Sequence, residues 1–208
     1  MIISKHLHSC LLIKEQGQTI LIDPGVFTYE KKALDLEALQ QLDFILITHE
    51  HADHCFIPFI KELATKFPAV KIISNQSVVN ILQKEGITVT TQGTDDIILT
   101  PVNHERVFDV ASPPNVMLEI FNKLAHPGDS MSFTTNKEIL ALPLLGPSWM
   151  ITQAAEKAVE LQPKVILPIH DYHWKDEYRI EYYKRLKDFF ATKHIDFKSL
   201  ETGNIVEV

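Results

Sequence analysis

Phe44-Ile45-Leu46-Ile47 is a short unbroken apolar run that reads as a buried strand, and it leads directly into Thr48-His49-Glu50-His51-Ala52-Asp53-His54. No other stretch narrows the possible folds as much. A strand end that delivers imidazoles and a carboxylate to one place needs a partner for them, because buried polar groups persist only when bonded or bound to metal. His49 and His51 are two apart at a strand end, where period-two geometry turns both imidazoles to one side, within reach of one cation at about 2.0–2.1 Å. Asp53 and His54 follow at once and begin a second site, as in two-metal hydrolases. Glu50, between two ligands, should point away and hold the loop by hydrogen bonds. The alternative is a solvated loop in a chain with 10 histidines. So dense an order of ligand types favours metal.

Around this run, strands and helices alternate. Leu11-Leu12-Ile13 and Thr19-Ile20-Leu21-Ile22 read as a hairpin turned at Lys14 to Gln18, and Asp23-Pro24-Gly25 ends its second strand. Leu34, Leu36, Leu39 and Leu42 have helical spacing. Phe56 to Phe67 and Ser77 to Lys84 are expected as helices, with Val70 to Ser74 and Ile97 to Val102 as strands. Further on, Val116 to Phe121, Ile139 to Leu142 and Val165 to Ile169 read as strands, Thr152 to Leu161 and Asp176 to Lys193 as helices, and Asn204 to Val208 as a last strand. No linker, repeat or low-complexity tract separates the halves. A single α/β domain over residues 1–208 is expected.

At 208 residues, with 45% hydrophobic and 23% charged residues, the composition is that of an ordinary globular protein. The apolar runs are far shorter than the roughly 20 residues of a membrane-spanning helix, and Met1 onward lacks an export signal, so a cytoplasmic location is expected. Cys10 and Cys55 are read as free thiols. A net charge of −7 disfavours nucleic acid as a partner; a small molecule is the expected one, and a homo-oligomer is compatible with the chain.

Thr48 to His54 resembles the signature of the metallo-β-lactamase superfamily. His8-Ser9-Cys10-Leu11-Leu12-Ile13 and Thr19-Ile20-Leu21-Ile22-Asp23-Pro24 are similar to the opening of the branch that holds the UlaG-like lactonases and the N-acyl-phosphatidylethanolamine phospholipase D group. The resemblance implies a four-layer αββα sandwich, two mixed sheets flanked by helices. It also extends the ligand set. Pro101-Val102-Asn103-His104, Gly128-Asp129-Ser130 and Leu167-Pro168-Ile169-His170 resemble the later motifs, in the family's order. The first metal would take His49, His51 and His104; the second would take Asp53, His54 and His170; Asp129 would bridge them. The resemblance further implies that Asp23, and with it His8, supports the ligands from behind. Zinc is the expected ion, with manganese or iron as alternatives.

His126, just before Gly128-Asp129, competes with His104 for its role, or else faces the substrate as a catalytic group beside Asp53. His173 competes in the same way with His170, or lines the pocket. Cys55 lies outside the family's pattern of ligands. Phe27, Tyr29, Trp149, Tyr172 and Trp174 could form an apolar wall. The activity implied is hydrolysis of an ester-like bond in a small molecule, a lactone or carboxylic ester or a phosphodiester, by a metal-bridging hydroxide. Alternatives are a nuclease or cyclic-nucleotide phosphodiesterase, an iron-dependent redox enzyme, and a non-catalytic metal-binding protein.

Overall fold

The computed structural model describes residues 1–208. The chain opens with three strands, β1 (Ile2–Lys5), β2 (Leu11–Glu15) and β3 (Gln18–Ile22), followed by a short helix α1 (Val26–Glu30). Next come β4 (Phe44–Leu46), α2 (Ile57–Lys66), β5 (Lys71–Ile73) and α3 (Gln76–Lys84). The second half comprises β6 (Ile97–Asn103), β7 (Pro114–Ile120), β8 (Leu124–His126), β9 (Ile139–Pro143), α4 (Ile151–Leu161), β10 (Val165–Ile169), α5 (Asp176–Ala191), β11 (Asp196–Phe197) and β12 (Ile205–Glu207).

Two six-stranded mixed sheets result, in the orders β12-β1-β2-β3-β4-β5 and β11-β10-β9-β8-β7-β6. Strand periodicity builds the layers. Ile20 and Ile22, Phe44 and Leu46, and Leu167 and Ile169 join one buried cluster between the sheets. Their neighbours Leu21, Ile45 and Ile47 face outward onto Phe59, Ile60 and Leu63 of α2 and Val78, Val79 and Leu82 of α3. On the second sheet Leu140 and Ile166 turn outward to meet Ala154 and Ala158 of α4 and Leu186 and Phe190 of α5. Strands buried on both faces explain the continuous apolar runs in the sequence. The architecture is the expected αββα sandwich.

Two local rules shape the elements next to the histidine run and His170. The side chain of Asn75 caps α3 by accepting from Ser77 N and Val78 N at 3.0 and 3.1 Å. Pro168 sits inside β10, which is tolerated because β11 pairs only with Val165 and Ile166 and leaves the rest of that side without a ladder.

The expected helix over Leu34 to Leu42 does not form. Asp35 accepts from Glu37 N and Ala38 N and so caps a single turn, closed by Leu39 N donating to Leu36 O, that is not continued into a helix, while Leu34, Leu39 and Leu42 are buried against the first sheet. The chain's first strand is β1, ahead of the hairpin; it, β8 and β11 add to the strands read from the sequence. Cys10 and Cys55 are buried and unpaired. No helix is long and apolar enough to cross a membrane.

Candidate metal centre

The chemistry-bearing residues converge because they follow strand ends. Asp23 follows β3, His49 to His54 follow β4, His104 follows β6, Asp129 follows β8, His170 follows β10, and His8 lies between β1 and β2. The histidine run is pinned at both ends. Thr48 N donates to Asp23 Oδ1 at 2.8 Å, Asn75 Nδ2 donates to Thr48 O at 3.0 Å, and Val26 N donates to Ala52 O at 2.8 Å. Gly25 permits this approach: a Cβ there would stand 1.7 Å from Asp53 O. Gly128, at φ +60, does the same for Asp129, since a Cβ would meet Asn115 Oδ1 at 2.3 Å. His8, Asp23 and His170 themselves take left-handed backbone, at φ +49, +47 and +59. Such conformations cost energy and persist where surrounding contacts impose them.

Hydrogen bonds then fix the rings. His54 Nδ1 donates to Asp23 Oδ2 at 2.7 Å. His49 Nδ1 stands 3.0 Å from Thr48 Oγ1, which in turn donates to Asp23 Oδ2 at 2.8 Å, so His49 is the donor in the first of these bonds. His104 Nδ1 donates to Glu105 O at 2.7 Å, and His170 Nδ1 donates to Leu145 O. In each case the proton is held on Nδ1 and the Nε2 lone pair is left for another partner.

Those Nε2 atoms find no hydrogen bond. His49, His54, His104 and His170 each leave Nε2 buried and unpaired, as does Asp129 its Oδ1. His54 Nε2 and His170 Nε2 stand 3.1 Å from the Asp129 carboxylate, and His104 and His49 stand 3.6 and 3.9 Å from it, close but not aligned as hydrogen bonds. The donor atoms fall into two groups, each within 4.8 Å: His49, His51, His104 and Asp129, and His8, Asp53, His54 and His170. Apart from the His8 Nε2 to Asp53 Oδ2 hydrogen bond, nitrogen and carboxylate donors that converge without mutual hydrogen bonds fit divalent metal, because buried polar groups otherwise pair.

Electrostatics in the cluster are those of rings and carboxylates sharing buried space. Burial, and then His54, hold the pKa of His49 well below its ordinary value. Burial does the same to His8, lowered to about 4, with His170 adding to it. Burial opposes charge on His54, but Asp129, Asp23 and Asp53 outweigh it and raise its pKa well above the ordinary value. Asp129 is buried too, yet His170 and His54 hold it well below the carboxylate range. For Asp53, His54 and the His8 hydrogen bond overcome the effect of burial and lower the pKa.

The structure brings together His49, His51, Asp53, His54, His104, Asp129 and His170, and it places Asp23 behind His54. His8 stands closer than a supporting position implies: its Nε2 is 3.1 Å from Asp53 Oδ2 and its ring centroid 4.0 Å from that of His170. The expected alternative use of His126 is corrected. It is fully buried, its Nε2 donates to Ser9 O at 3.2 Å and its Nδ1 accepts from Gly128 N at 3.3 Å. Both nitrogens are engaged by backbone, so His126 braces the β8 turn, belongs to neither donor group and lines no part of the adjoining cavity. His51, Asp53, His104, Asp129 and His170 open into a cavity of about 390 Å³, together with His173 and Trp149. Phe27 stacks on Tyr172 beside His173. Tyr29 instead packs on Phe56 and Phe59, and Trp174 joins the outer core of the second sheet.

Comparison with known proteins shows the family. A family model described as a beta-lactamase superfamily domain matches residues 2–170. A UPF0173 metal-dependent hydrolase of Lysinibacillus sphaericus is 30% identical, over 82% of this chain and 85% of its own. Protein Rv0786c of Mycobacterium tuberculosis is 28% identical over 96% of both chains. Among solved structures, Igni18, a metallo hydrolase from Ignicoccus hospitalis, superposes with a TM-score of 0.71 at 20% identity, covering 99% of this chain and 97% of that one. The family model and these relatives assign the chain to the metallo-β-lactamase superfamily, in its UPF0173 branch.

Proposed function

We propose that this protein is a binuclear metal-dependent hydrolase that cleaves an ester-like bond of a small molecule. The observation that carries the reading is the set of buried, unpaired His49, His54, His104 and His170 Nε2 atoms around the Asp129 carboxylate. His49, His51 and His104 would hold one cation, Asp53, His54 and His170 the other, and Asp129 would bridge them. Bound there, zinc or a similar cation supplies an activated water and polarises the carbonyl or phosphoryl oxygen under attack. The chain's residues do the rest. Asp23 and Thr48 keep His54 and His49 in the metal-binding tautomer. His8 steadies the half-buried Asp53, and the cavity admits substrate on the open side of His51.

Chelation should abolish turnover of lactones, carboxylic esters and phosphodiesters alike, and zinc or manganese should restore it. Asp53→Ala should lower kcat by at least about 100-fold, beyond the 10–100-fold typical of residues that only orient ligands. Hydrolysis that survives both chelation and Asp53→Ala would refute the reading.

A further inference from the structure

Building on the hydrolase reading, we infer that the pocket takes an uncharged ester or lactone carrying a compact apolar substituent. The cavity beside the donor cluster is about 390 Å³, at the small end of the roughly 300–1,000 Å³ of small-molecule sites. Away from the donor atoms its wall is made by Val107, Leu145, Pro147 and Trp149, and His173 is the one ionisable side chain there that belongs to neither donor group. No lysine or arginine lines it.

Three polar groups of that wall already have partners. Trp149 Nε1 donates to Pro143 O at 3.1 Å, so the indole N–H is not free for a substrate. Leu145 O accepts from His170 Nδ1, and Gly146 N donates to Trp149 O at 3.3 Å. A phosphodiester or carboxylate-bearing substrate keeps anionic oxygens that call for guanidinium, ammonium or free backbone N–H donors beyond the reacting centre. This wall offers none of the cationic side chains, whereas an alkyl or small ring substituent can lie against Val107, Leu145 and Pro147, backed by the buried Trp149 ring packed on Gly146. The neighbouring groove beyond His104 does not change the balance, since its Arg106 is accompanied by Glu105 and Asp109.

The test compares kcat/KM of the zinc-loaded protein for p-nitrophenyl acetate, propionate and butyrate, for an ester ending in a carboxylate, and for bis-p-nitrophenyl phosphate. Each added methylene should raise kcat/KM about three- to fourfold until the wall is covered. The carboxylate-ended ester should fall at least about tenfold below its neutral counterpart. Val107→Lys, with zinc content measured alongside, should erase the chain-length dependence and narrow the gap to the charged ester. A flat response to chain length, or turnover of the phosphodiester with neutral esters left intact, would overturn the substrate class and leave the hydrolase reading standing. Loss of all turnover with zinc bound would instead bring down the hydrolase reading, and this inference with it.

Discussion

At the scale of single residues, Asp23 does more than end a strand. Its carboxylate accepts from Thr48 N, Thr48 Oγ1 and His54 Nδ1, so one side chain sets the loop's entry and the tautomers of two rings. Asp23→Asn puts an amide donor against donors, and zinc affinity measured by chelator competition should fall about 10–100-fold. An unchanged affinity would show that His54 needs no such support. Burial pushes the thiols of Cys10 and Cys55 up to about 12, so at pH 8 almost no thiolate forms. The folded protein should therefore leave a thiol-reactive dye untouched, and the denatured protein should react with two equivalents; rapid labelling of the native state would contradict the burial. At this scale the sequence showed His49, His51, Asp53 and His54 through their density on a strand end. His126 misled because a histidine beside a Gly-Asp turn looks the same whether it meets substrate or, as here, the backbone of Ser9 and Gly128.

At the scale of elements, β1 is tied to the loop that carries His170 by a buried network. Lys5 Nζ donates to Asp171 Oδ1 at 2.6 Å and Tyr183 Oη donates to the other carboxylate oxygen. Lys5 is 3% exposed, as is Asp171, and burial lowers the lysine's pKa against the opposing pull of Asp171. Lys5→Met strands the carboxylate and should cost about 3–5 kcal/mol, read from urea denaturation. Lys5→Met with Asp171→Leu should cost less than the single change, because no charge is then left buried alone; equal costs would contradict that explanation. Long apolar strands such as Val165–Ile169 were legible from their buried, two-faced pattern. The strands β1, β8 and β11, of four, three and two residues, carry too little pattern to be read, and Leu34 to Leu42 has helical spacing but forms only the one turn that Asp35 caps, its leucines buried against the sheet.

At the scale of the whole molecule, the two sheets bring strand ends from both halves of the sequence to one edge. The first sheet supplies His8, Asp23 and the His49–His54 run; the second supplies His104, Asp129 and His170. Separation along the chain hid this, and only the order of motifs joined the halves before the fold did. The placement of His8 against Asp53 was legible only in space, since it depends on β1 pairing beside β2. The central claim, a pair of divalent cations held by these residues, is tested most directly by elemental mass spectrometry of the purified protein, alongside an Asp129→Ala, His170→Ala variant checked for native circular dichroism. The account predicts about two equivalents of zinc or a similar divalent metal per chain, largely lost in the variant. Retention of the same metal by the folded variant, or no metal in the parent protein after cations are supplied, would contradict it.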